Sequence, residues 1–239
     1  MEDNHKEIKK ILEHIPDTFD VLKEGIDMQI QKEYLDYSHS FEHGELTDKE
    51  TLQLSSILFS PETSLTGKKK ALTILAHVGT ITAFRQIEKY CKNPDKDLRQ
   101  WAALALGESR MLLESTLTDR NIGFISSGLG GIKNKLRYYF LVLPVKDRPF
   151  TLTQKNIIKN EINFVAKDLN CVVEVVDKND NFVGLTVLVP MDLAVGTFIE
   201  TGIKKCNELG DFVYEHYYVT NMEVPDKAEI EEIIKKVKG

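Results

Sequence analysis

The N-terminal half of the chain carries its apolar residues at a helical period. Ile8, Ile11, Leu12 and Ile15 fall at i, i+3, i+4 and i+7, the stripe of an amphipathic helix, and Pro16 ends it. Phe19, Leu22, Ile26 and Ile30 continue that stripe and predict a longer helix, capped by Asp17 and running through Tyr34 towards Gly44. Thr47 followed three residues later by Glu50 is a capping box, which predicts a third helix over 48–59 ahead of Pro61.

From residue 67 the pattern repeats. KKKALTILAHVG lies on LRQWAALALGES with an offset of 31 residues, pairing Lys68 with Arg99, Ala71 with Ala102, Leu72 with Ala103 and Leu75 with Leu106. A helix over 81–91 and the turn NPDKD, with Asn93 or Asp95 as cap, separate the two copies. Over about 48–117 this arrangement resembles HEAT-like repeats. The resemblance implies paired short helices whose alanines allow close approach and whose basic residue bonds across the turn. One helical hairpin cannot bury its own apolar face, so neighbouring elements must cap it. Trp101 then belongs to the buried seam.

After residue 135 the period shortens. LRYYFLVLPV (136–145) reads as a strand, and Thr151 with Gln154 caps a helix whose face is Ile158, Ile162, Val165, Ala166 and Leu169. CVVEVV (171–176), the turn DKNDN and FVGLTVLV (182–189) read as a hairpin. A helix carrying Val195, Phe198, Ile199, Ile203 and Cys206 precedes a fourth strand, DFVYEHYYVT (211–220). A closing helix carries Ile230, Ile233, Ile234 and Val237. The order βαββαβ(α) is that of a ferredoxin-like domain, two helices on one face of an antiparallel sheet. The strands at 171–176 and 182–189 are apolar on both sides, which predicts that the second face is covered too. The expected cover is a second copy of the chain, in a homodimer, or the helical half.

The fold class predicted is therefore α+β: an α-helical HEAT-like region over 1–120, a Gly-rich linker over 121–135 and a ferredoxin-like domain over 136–239. The linker, GFISSGLGGIKNKLR (123–137), carries Gly128, Gly130, Gly131, Lys133, Lys135 and Arg137, residues suited to holding an anion. It runs from a helical region into a strand, so no helix N-terminus converges on that anion as in a phosphate loop. A domain joint is the first reading of it and anion binding the second.

Composition adds limits. The 239 residues are 42% hydrophobic and 28% charged, ordinary for a folded chain of two modest cores that needs no disulfide or metal. The net charge is −6, with 5 Lys or Arg against 12 Asp or Glu over 1–45, 11 against 9 over 46–120 and 15 against 16 over 121–239. An acidic arm without a basic tract predicts no nucleic-acid and no membrane partner. The charged start and the lack of a long apolar run predict a cytoplasmic protein, and Cys91, Cys171 and Cys206, without CxxC spacing, read as reduced thiols.

At 143–150 the chain reads LPVKDRPF. Asp147, Arg148 and Pro149, between first strand and first helix, resemble the Asp-Arg-Pro-Gly of ligand-sensing ACT domains, with Phe150 in place of the glycine. The resemblance implies a carboxylate or other small ligand held near Asp147 and Arg148. DKNDN lacks the glycine and glutamate of a calcium loop, and the pair His39 and His43 lacks a third zinc ligand, so no metal and no cofactor are predicted. No catalytic residue is nominated. The leading expectation is a non-catalytic protein–protein interaction or regulatory module with unknown protein partners. An ACT-like sensor of an amino acid or anion is the alternative, and an enzyme of unrecognised type the second.

Overall fold

In the computed structural model the chain is α+β, and the structure describes residues 16, 18–40, 46–145 and 148–238. It falls into two units, Met1–Ser126 and Ser127–Gly239.

The first unit is built on capped helices. Strand β1 (Thr18–Val21) leads into α1 (Met28–Ser38), where the Asp27 carboxylate accepts from the amides of Gln29 and Ile30. The capping box of Thr47 and Glu50 forms in both directions and starts α2 (Asp48–Phe59). Ser64 and Thr80 cap α3 (Leu65–His77) and α4 (Ile81–Cys91). A 3-10 turn, Lys96–Leu98, opens onto α5 (Arg99–Thr118), and β2 (Ile122–Ile125) closes the unit. Leu72, Leu75, Ile87, Leu98 and Trp101 fill the core, and Ala71, Ala76, Ala102 and Ala105 keep the helices close. Across the turn Lys68 Nζ lies 2.7 Å from Asp95 Oδ2.

One expectation fails here. Phe19 lies in a strand and Leu22 just beyond it, because β1 pairs in parallel with β2, Thr18 opposite Ile122 through Val21 opposite Ile125. The partner strand comes from the far end of the unit, a pairing that local periodicity cannot register. Phe124 of β2 rests on Gly107 of α5, where a Cβ would come within 2.5 Å of the ring. The helix expected over 8–15 and the stop at Gly44 lie outside the described residues.

The second unit holds a sheet of β3 (Gly131–Ile132), β4 (Lys135–Val142), β5 (Val172–Lys178), β6 (Val183–Pro190) and β7 (Tyr218–Thr220). The order is β5–β6–β4, with β3 and β7 sharing the far edge of β4, all antiparallel. Helices α6 (Leu152–Asp168) and α7 (Val195–Asn207) bury Ile158, Ile162, Phe198, Ile199 and Ile203 against Phe140, Val183, Leu185 and Val187. The closing helix α8 (Lys227–Lys238) packs Ile230, Ile233 and Ile234 on Tyr139, Leu141, Phe182 and Tyr218 of the second face.

The expected cover of this face, a second copy in a homodimer or the helical half, is thereby corrected: over Tyr139 and Leu141 it is the chain's own last helix, whose apolar stripe needed a surface to bury. Residues expected as a linker over 121–135 form β2 and β3 on either side of the unit boundary. The fourth strand shrinks to three residues. The Asn207 side chain accepts from the amides of Phe212 and Val213 and donates to the Val213 carbonyl, holding 212–213 away from a regular ladder. No helix among the described residues is long and apolar enough to cross a membrane.

Candidate functional site

The exposed side of α4 and the turn after it carry a stripe of cations. Arg85, Lys89 and Lys92 stand at i, i+4 and i+7, and Lys96 and Arg99 extend them past the turn, all five exposed. Lys92, Lys96 and Arg99 line an open cleft of about 490 Å³ with Cys91, Asn93 and Glu24. Lys92 and Lys96 make no ion pair among the described residues, and Arg99 reaches Glu24 only at 3.8 Å. Of the nearby acids, Glu88 pairs with Arg85 of the stripe itself at 2.7 Å, and Asp95 is held away from it by Lys68 and the Tyr90 hydroxyl. The hydrogen bond from Arg85 holds the Glu88 carboxyl below its ordinary range. Asp97 is the exposed acid that remains on the turn. Beside the stripe Phe59 is 44% exposed, with Lys89 Nζ 5.0 Å above its ring. Burial pushes the Cys91 thiol up to about 11, which disfavours its thiolate.

A catalytic-looking cluster lies deeper in the same unit. Ser38 Oγ is 3.1 Å from His77 Nε2, and Glu108 Oε1 is 3.2 Å from that same nitrogen. In a nucleophilic triad the serine and the carboxylate use opposite ring nitrogens. Here Nδ1 is taken by the Thr73 carbonyl at 2.9 Å, and the Tyr34 hydroxyl donates to Glu108. Ser38 is buried. The group pins α1, α3 and α5 together and offers no attacking oxygen.

The sites predicted in the second unit do not assemble. Asp147 lies outside the described residues, and Arg148 is exposed, lining a cleft of about 440 Å³ with Lys235 and Lys238 of α8. The glycine-rich residues sit at the other end of β4, which at about 3.3 Å per residue is some 25 Å long. Gly128 lies on the backbone of Met222, where a Cβ would meet the carbonyl oxygen at 1.8 Å. Gly130 has φ +67°, Gly131 is buried in β3, and Lys133 has φ +56°. Lys135 donates to the Asn170 carbonyl, and Arg137 binds the Leu129 carbonyl and Glu174. These cations close the loop onto the sheet and are not aimed at a common anion.

The second unit also holds a cleft of about 890 Å³ between α8 and the sheet, floored by Tyr139, Val175, Gly184 and Thr186. Another, of about 920 Å³, is lined by Glu200, Lys204, Glu208, Glu215 and His216. Among the described residues no three His, Cys, Asp or Glu side chains gather to hold a metal ion. Sequence reasoning missed Tyr139, which looked like one more core residue of a strand. It also missed the cationic stripe, whose i, i+4, i+7 spacing was legible.

No protein-family model and no curated protein matches the chain. Two of the solved structures that match part of it are transposases. A REP-associated tyrosine transposase bound to a REP hairpin is 11% identical, with 45% of this chain and 66% of that one covered at a TM-score of 0.33. The chain spans less than two thirds of that protein. A protein from Deinococcus radiodurans R1 assigned as a transposase is 14% identical, covering 43% of this chain and 90% of that one at 0.36.

The expectation of a non-catalytic interaction or regulatory module, or of an ACT-like sensor, with no nucleic-acid partner, is corrected by these matches: they are transposases, one holding a hairpin. The exclusion of nucleic acid had a physical flaw as well. It rested on segment totals, and the count of 11 Lys or Arg against 9 Asp or Glu over 46–120 dilutes the surplus at 64–110.

Proposed function

We propose that the chain is a single-stranded nucleic-acid-binding protein whose HEAT-like helical unit holds the phosphate backbone along Arg85, Lys89, Lys92, Lys96 and Arg99. The observation that carries this reading is the local charge of this chain. Between Ser64 and Arg110 stand nine Lys or Arg against four Asp or Glu, and five of the nine form the exposed stripe. At about 1.5 Å per residue, Arg85 to Lys92 spans roughly 10 Å, the axial reach of about three phosphates of one strand. The exposed Phe59 ring beside Lys89 offers a stacking face that only an unpaired base can reach, which favours a single strand over a duplex. The acidic remainder of the chain does not forbid this, since charges more than about 10 Å apart are largely screened at 0.1 M salt.

The finer fold belongs to the same proposal. The 31-residue offset and the Lys68–Asp95 bond across the turn support HEAT-like repeats in the first unit. The strand order, with α6 and α7 on one face, supports a ferredoxin-like second unit. We place the protein in the cytoplasm, where three unpaired thiols stay reduced.

Fluorescence anisotropy of a labelled oligothymidine of about 20 nucleotides at low salt tests the reading. The native protein is expected to bind, and the exposed triple variant Lys92→Gln, Lys96→Gln, Arg99→Gln to bind at least about tenfold more weakly with unchanged helicity. No binding by the native protein, or equal binding by the variant, overturns it. A duplex bound more tightly than the single strand would remove the role given to Phe59.

A further inference from the structure

The cleft between α8 and the sheet lies in the other unit and is independent of the nucleic-acid reading. Helix α8 covers the second face over Tyr139 and Leu141 of β4. Towards the edge strand it leaves Gly184, Thr186 and Val175 open, and Val175 is 56% exposed. Ile230 and Ile234 wall the space on one side, and its volume of about 890 Å³ falls within the range of small-molecule sites.

Tyr139 gives the cleft its chemistry. The residue is 4% exposed, and its hydroxyl oxygen reaches across to Gly184, where a Cβ would lie 2.5 Å from it. That oxygen has no hydrogen-bond partner among the described residues, and it is not one of the enclosed unpaired oxygens, which are those of Thr51 and Ser109. The open side of this hydroxyl is the cleft, from which solvent reaches it in the free protein. Burial first, then Asp177 and Tyr218, push its pKa up to about 12, so it stays a neutral donor and acceptor.

The charge around it is one-sided. Of the carboxylates lining the cleft, Asp180 is held by Lys155 at 2.8 Å and Asp226 accepts from the Glu229 amide as the cap of α8. Asp177 and Glu231 have no cation within ion-pair distance among the described residues, and Lys227 is the cation on the lining. Two uncompensated carboxylates beside an apolar floor favour a cation with an apolar body and disfavour an anion of the same shape.

We propose that this cleft binds a small organic amine, its ammonium group donating to the Asp177 carboxylate and the Tyr139 hydroxyl while its apolar body lies on Val175, Ile230 and Ile234.

Phenethylamine is the probe, with 3-phenylpropionate and 2-phenylethanol as anionic and neutral molecules of similar body, followed by amide chemical shifts of the full chain. The amine should shift Gly184, Thr186 and Ile230 saturably below about 10 mM, and the anion should leave them in place. Asp177→Asn should weaken the amine at least about tenfold. Tyr139→Phe should weaken it severalfold while leaving the melting temperature of the free protein unchanged, since the hydroxyl it removes has no partner to lose. Three results overturn the proposal: no saturable shift with the amine, equal binding of the anion or the alcohol, or unaltered amine binding by both variants.

Discussion

Replacing Lys68 by Met tests the bond that ties the turn of the helical unit to its core. Lys68 Nζ meets Asp95 Oδ2 at 2.7 Å, and the Tyr90 hydroxyl donates to the same oxygen at 2.6 Å. Methionine keeps most of the buried stem, so the loss is the charged hydrogen bond and not packing. An exposed pair contributes about 0–1 kcal/mol, and breaking a buried one costs about 3–5. The lysine side chain is 8% exposed and the aspartate 37%, so water can resolvate the carboxylate that is left behind. The expected cost is therefore about 1–2 kcal/mol. Lys68 first, then Tyr90, hold the Asp95 carboxyl below its ordinary value of 3.8. A lowered folded value means stabilisation that is present above the unfolded value and lost as pH falls through the folded one. The gap between native protein and variant should stay constant from pH 8 to 5 and narrow below about pH 4. Urea unfolding followed by Trp101 reads this unit selectively, because Trp101 is the chain's one tryptophan and is buried here. A cycle with Asp95→Asn gives the coupling. Coupling under about 0.3 kcal/mol at pH 7, or a gap that widens on acidification, refutes the reasoning.

Gly128→Ala should destabilise the C-terminal unit by about 3 kcal/mol, because the added methyl would meet a backbone carbonyl that cannot rotate away. Denaturant titration followed by far-ultraviolet dichroism checks it, and a change under about 0.5 kcal/mol contradicts the close approach. Burial raises Cys91 and Cys171 to about 11 and Cys206 to about 12, so at pH 8 iodoacetamide should label them slowly in the native protein and rapidly in urea. Rapid native labelling of Cys206 would refute its burial.

The signals legible in the sequence were local ones. The boxes Thr47–Glu50 and Thr151–Gln154 form as their spacing says, and the stripe Ile230, Ile233, Ile234 is the face that α8 buries. What escaped depends on residues distant in sequence. TFDV looks helical until Ile122–Ile125 supplies its hydrogen bonds, and the glycines that followed disguised that second strand as a joint. Tyr139 alternates correctly onto the second face, but only Gly184 on the neighbouring strand shows why its hydroxyl matters. The basic stripe was readable at i, i+4 and i+7, and counting charge over the whole of 46–120 concealed it.

The most direct test of nucleic-acid binding is the salt dependence of oligothymidine affinity for native and triple-variant protein. Five backbone contacts predict a slope of log K against log salt near −3.5, at about 0.7 per phosphate on a single strand. Losing Lys92, Lys96 and Arg99 should leave a slope of about −1.4. A native slope near zero, or one the variant shares, would contradict a backbone held by this stripe.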